Sequence, residues 1–110
     1  MYQKLITKPI EKRIDKTPLY YHEENNLDIC YAKIIVGFFG GGVHSWWAIE
    51  GERLEDGDIQ FFGLVRGNDR RKEWGNFRLN ELKELKFPPF GLGVERNMYC
   101  EKKINEVLFH

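Results

Sequence analysis

The spacing of apolar residues changes several times along this chain, and each change marks an element. Ile6, Ile10 and Ile14 recur every four residues. Thr7 stands where a helix cap belongs, Pro9 lies just inside, and Glu11 falls in the first turn, so a short helix is predicted there. Thr17-Pro18 stops it, because the residue before a proline avoids the helical region. Leu19, Tyr20 and Tyr21 read as extended, and the polar, asparagine-rich residues 22–28 read as a loop. Residues 29–39 are dense in β-formers and lack clean alternation in their second half, the pattern of a central strand covered on both faces.

Gly40, Gly41 and Gly42 turn the chain into a second strand, residues 43–50, whose core reads Trp46, Trp47, Ala48, Ile49, Glu50. A third strand is predicted over 58–66 and a fourth, short or at an edge, over 74–79, with the charged loop 67–72 between them. Asn80 is placed to cap a second helix over 81–86, with Leu79, Leu82 and Leu85 inward, and Pro88-Pro89 ends it. Residues 91–100 give a fifth strand, and Ile104, Val107 and Leu108 suit one last helical turn. Successive strands joined by short turns favour antiparallel neighbours. The expected fold class is α+β: an antiparallel sheet of about five strands with two or three short helices packed on it, against one face.

At 110 residues this is one domain, 1–110, with 42% apolar and 15% aromatic residues to build a core. Lysine plus arginine and aspartate plus glutamate each number 17. Zero net charge argues against a general nucleic-acid binder, so direct nucleic-acid contact is not expected. Near-neutral proteins associate readily, which makes a protein partner or a homodimer the natural expectation. Residues 1–8 hold no apolar signal-peptide core, and no run reaches the roughly 18–20 residues of a membrane span, so a cytoplasmic location is expected. Cys30 and Cys100 would then stay reduced.

Charge is unevenly placed. Glu50, Glu52, Glu55, Asp56 and Asp58 crowd the connection between the second and third strands, with Arg53 the only basic residue among them. This gives an aromatic-rich hairpin with a negative tip, suited to a basic groove on another macromolecule. Arg70 and Arg71, beside Lys72 and Trp74, offer a second contact, although Asp69 and Glu73 interrupt the basic run. No cofactor is expected. The alternative is a zinc-binding structural or regulatory domain using His22, Cys30, His44 and Cys100, since two histidines and two cysteines suffice for a tetrahedral site. No C-x-x-C or H-x-x-x-H spacing supports it, so those ligands would have to converge from distant segments. A small metal-dependent hydrolase is the second alternative. However, no nucleophile–base pairing is local, and the glycine clusters lack the remainder of a phosphate-binding motif.

Several short runs in order carry a resemblance: W-W-A-I-E at 46–50, F-F-G-L-V-R-G at 61–67, W-G-N-F-R-L-N-E-L at 74–82 and G-L-G-V-E-R-N-M-Y at 91–99. With L-I-T-K at 5–8 and T-P-L-Y at 17–20, the chain resembles a small bacterial family, domain of unknown function 2958. That family has no assigned activity, and its members are met on plasmids, phages and integrative elements, often near anti-restriction genes. The resemblance therefore implies mobile-element biology. The expectation is a non-enzymatic protein-binding module of a phage or mobile element, a counter-defence inhibitor of anti-CRISPR or anti-restriction type. Its acidic surface would dock on a host nuclease with a basic groove.

Overall fold

The computed structural model describes residues 5–97 and 102–108. Its centre is one antiparallel sheet of β1 (Val36–Gly40), β2 (His44–Arg53), β3 (Ile59–Arg66), β4 (Lys72–Arg78) and β5 (Glu95–Asn97), in spatial order β4-β3-β2-β1-β5. Helix α1 (Lys8–Lys16) precedes the sheet, with α2 (Tyr21–Glu24) and a 3-10 turn (Ile29–Tyr31) after it. Helix α3 (Leu79–Glu84) follows β4, and α4 (Asn105–Leu108) closes the described chain. The α+β fold with a five-stranded antiparallel sheet is as the sequence pattern leads one to expect.

Both faces of the sheet are covered, which departs from the one-face expectation. Ile10 and Ile14 of α1 and Leu79 and Leu82 at α3 pack with Val36, Phe38, Trp46, Ala48, Phe61 and Phe77 on one side. On the other side, Trp47, Ile49 and Leu64 pack with Ala32, Ile34 and Ile104, and Val107 and Leu108 of α4 lie against them. Alternation along β2 explains the split: Trp46 and Trp47 point to opposite faces, and each is buried in its own cluster. Neither tryptophan is spare. The 3-10 turn at 29–31, in a stretch expected to be strand, and the last helical turn at 105–108, as expected, make this second layer possible.

Other differences from the sequence pattern have local causes. The strand expected over 29–39 begins only at Val36. Upstream, the Asp28 carboxylate accepts the Cys30 amide at 2.9 Å and winds residues 29–31 into a 3-10 turn. The expected loop at 22–28 starts inside α2. Helix α3 begins two residues before 81, with Arg78 rather than Asn80 in the cap position. Of the fifth strand, Glu95–Asn97 is described, and residues 98–101 lie outside the described part.

A β-bulge in β2 matters most for function. Ala48 pairs with Gly63 and Glu50 with Phe62, leaving Ile49 as the extra residue. A Cβ on Gly63 would lie 1.8 Å from the Trp47 carbonyl oxygen, so this close approach admits only glycine. Without the bulge, Glu50 would share the face of Ala48. With it, Glu50 shares the face of Phe62, which packs on the second cluster. The next residue, Gly51, accordingly faces Phe61 and Ile14 of the first cluster.

Candidate functional site

The connection between β2 and β3 is shorter than the sequence suggests. Strand β2 runs on to Arg53, so the acidic residues divide between strand, turn and the start of β3. Glu50 is inside the protein, 4% exposed. Its Oε1 accepts the Tyr20 amide at 3.0 Å, and its Oε2 accepts the His22 amide at 2.8 Å. Oε2 also lies 2.6 Å from His22 Nδ1. Tyr20 takes a left-handed backbone conformation, φ 68°, at the entry to α2, and this turn brings both amides to the carboxylate. Glu50 therefore anchors the segment after α1 to the sheet. As a buried anchor it is not part of the exposed acidic tip.

Asp58 is likewise 4% exposed. Its Oδ1 accepts the Ile59 amide at 2.7 Å and the Asn80 amide at 2.9 Å. Asn80 is the second residue of α3, and Arg78 in the cap position gives no side-chain bond. Asp58 thus satisfies an amide of the helix start from across the fold, the task an N-cap side chain usually performs locally. It too is structural.

The exposed carboxylates of the hairpin are Glu52, Glu55 and Asp56. No ion pair among the described residues uses any of them. Their frame is braced: Arg53 pairs with Asp15 of α1, Asp56 Oδ1 accepts the Asp58 amide at 2.9 Å, and the Leu54 amide bonds the Asp58 carbonyl at 2.8 Å. The acidic tip is thus three carboxylates on a fixed turn.

Arg70 and Arg71 are exposed, on the loop between β3 and β4. Asp69 Oδ1 accepts the Arg71 amide at 3.1 Å, and the Asp69 carboxylate lies 3.7 Å from the Arg71 guanidinium. This loop is at the opposite end of β3 from the acidic tip. Eight strand residues separate the two, roughly 25 Å of chain. They form two surfaces, not one. Trp74, the aromatic beside the basic loop, stacks on Phe62 with ring centroids 6.0 Å apart and belongs to the second cluster. Arg66 is also engaged inward, its guanidinium 5.6 Å from the Trp47 ring centroid and bonded to Ser45.

Among the described residues, the zinc candidates His22, Cys30 and His44 do not converge. His44 stacks on Trp46 and lies against Phe87, on the face of the first cluster. His22 meets Glu50 on the other face, so the sheet separates the two imidazoles. Cys30 lies in the 3-10 turn. Its burial, then the Asp28 charge and a hydrogen bond to Asp28, push the thiol's pKa up, which disfavours the thiolate a metal requires. Cys100 lies outside the described residues. Among the described residues, no three His, Cys, Asp or Glu side chains group as a metal site would.

A cleft of about 480 Å³ opens beside the Glu50 anchor, lined by Thr17, Tyr21, His22, Leu27, Asp28, Tyr31, Ala32 and Lys33. Sequence reasoning did not anticipate it. The Gly51 amide bonds the Thr17 carbonyl at 3.0 Å, which ties the rim of the cleft to β2 just before Glu52. Glu50 and Glu52 are two apart on one strand and share a face, so the cleft and the acidic hairpin are contiguous.

Among the described residues, no helix is long and apolar enough to cross a membrane. Residues 5–106 match the family described as "Protein of unknown function (DUF2958)", and the chain belongs to that family. No curated protein and no solved structure gives a match.

Proposed function

We propose that this family member is a non-enzymatic, cytoplasmic protein-binding module that docks its acidic hairpin in the basic groove of a host nuclease, as a counter-defence inhibitor would. One observation carries the reading: Glu52, Glu55 and Asp56 stand exposed and without ion-pair partners among the described residues, on a turn held by Asp58 and by the Arg53–Asp15 pair. A fixed turn loses little conformational freedom on docking, and desolvating its unpaired charges is favourable only against a complementary surface. The supporting surface is smaller than the sequence suggested, because Glu50 and Asp58 are used inside. Arg70 and Arg71 can join only if the partner reaches along the whole of β3.

The test is plasmid or phage survival in cells carrying an active restriction or CRISPR nuclease, with and without this protein. Expected is protection by the native chain. The triple variant Glu52→Lys, Glu55→Lys, Asp56→Lys should lose protection while staying folded, its melting temperature lowered only slightly by loss of the Asp56 bond to the Asp58 amide. Protection retained by that variant would remove the hairpin from the mechanism.

A further inference from the structure

The cleft beside the hairpin contains a polar atom that the fold itself does not use. His22 is 6% exposed, and its Nδ1 is committed to Glu50. Both oxygens of Glu50 already accept backbone amides, so the bonding pattern assigns the shared hydrogen to Nδ1. In the neutral ring, Nε2 then offers a lone pair. No described residue bonds Nε2. It is not among the buried polar atoms left without a partner, so it reaches solvent, and the ring that carries it lines the cleft.

The surroundings define what could meet that lone pair. The Asp28 carboxylate accepts the Cys30 amide at Oδ1 and is also bonded by the Cys30 thiol, which still leaves acceptor lone pairs for the cleft, and no ion pair among the described residues involves it. Thr17 adds a hydroxyl, and Tyr21 and Tyr31 add phenols and flat rings. Tyr31 is 63% exposed and Leu27 48%, a large apolar surface to leave in water. The set is rich in acceptors and ring faces, and among the described lining residues Lys33 is the one cation. A planar, donor-bearing cation fits this chemistry best. A guanidinium can donate to Nε2 and to a carboxylate at once while stacking on a tyrosine, which a compact ammonium does less well.

We propose that this cleft is a guanidinium-binding site that takes an arginine side chain from the basic partner. It rests on the reading above, and deepens it: Glu52 lies on the same strand face next to the cleft rim, so one basic surface covers the hairpin and inserts one arginine beside it.

The test needs no macromolecular partner. The full chain is titrated with N-acetyl-arginine amide while NMR follows the His22 ring nitrogens and the Tyr31 ring. N-acetyl-lysine amide and inorganic phosphate are the comparison probes. Expected is a saturable shift with the arginine probe, weaker binding of the lysine probe and no response to phosphate. Asp28→Asn should weaken the arginine probe on the order of tenfold, the worth of a charge-assisted hydrogen bond. Tyr31→Ala should weaken it about threefold, as loss of an exposed cation–π contact does. Asn keeps the Oδ1 that accepts the Cys30 amide and Tyr31 is exposed, so both variants should keep the fold. A saturable response to phosphate in place of arginine, no saturable response, or arginine binding indifferent to both substitutions would each overturn the proposal. None of these results touches the hairpin reading. The triple-lysine hairpin variant, in turn, should lose its partner yet still respond saturably to the probe.

Discussion

Glu50 and Glu55 lie five positions apart in one acidic stretch and have opposite fates. Glu50 accepts two backbone amides and faces an imidazole in the interior, whereas Glu55 stands in solvent at the tip. Asp58 and Asp56 repeat the contrast two residues apart: one spans the fold to hold the start of α3, and the other stays exposed on the turn. A carboxylate's role is set by how many backbone donors the fold delivers to it. A buried carboxylate with several such bonds is a structural part, and one without them is available to a partner.

Stability measurements can break this contrast. In urea, Glu50→Ala should cost about 3–5 kcal/mol, because it strands two amides and a buried imidazole. Glu50→Gln should fall between Ala and the native chain, since an amide keeps one acceptor oxygen. Asp58→Ala should cost about 2 kcal/mol, as loss of a strong helix cap does, and hydrogen exchange at the Asn80 amide should accelerate with it. Asp15→Ala removes the exposed partner of Arg53 and should cost less than about 1 kcal/mol. Asp56→Lys gives up the bond to the Asp58 amide and should cost about 1 kcal/mol, and Glu55→Lys should stay within about 0.5 kcal/mol of the native value. A large loss at either of these, or a negligible loss at Glu50, would erase the distinction.

Asp28 sharpens the same comparison from a third position, exposed yet bonded to a local amide. Because its charge and hydrogen bond help keep the Cys30 thiol protonated, Asp28→Asn should speed alkylation of Cys30 near neutral pH, read by mass spectrometry. An unchanged rate would leave burial as the only cause.

The two clusters differ in how legible they were. The first could be traced from Ile6, Ile10 and Ile14 and from Leu79 and Leu82, because helical spacing signals a buried stripe. The second could not, since Ala32 and Ile34 lie in a stretch without a clean period, and the helical spacing of Ile104, Val107 and Leu108 did not say what that turn would cover. The strand positions of Trp46 and Trp47 announced opposite faces, but not that both would be covered. The acidic hairpin was visible as composition. Which of its carboxylates belonged to it was not, because β2 continues to Arg53 and the bulge at Ile49 turns Glu50 over.

Sequence alone determined the α+β class, the antiparallel sheet, the first helix with its cap, and the family, because these follow from spacing and short motifs that neighbouring residues set. Tertiary structure alone decided that His22 meets Glu50 across 28 positions, that Asp58 holds Asn80 across 22, and that a cleft opens between Thr17 and Lys33. Those pairings depend on strand register and on a single extra residue in β2. Register is a property of two strands together, and no local pattern in either one encodes it.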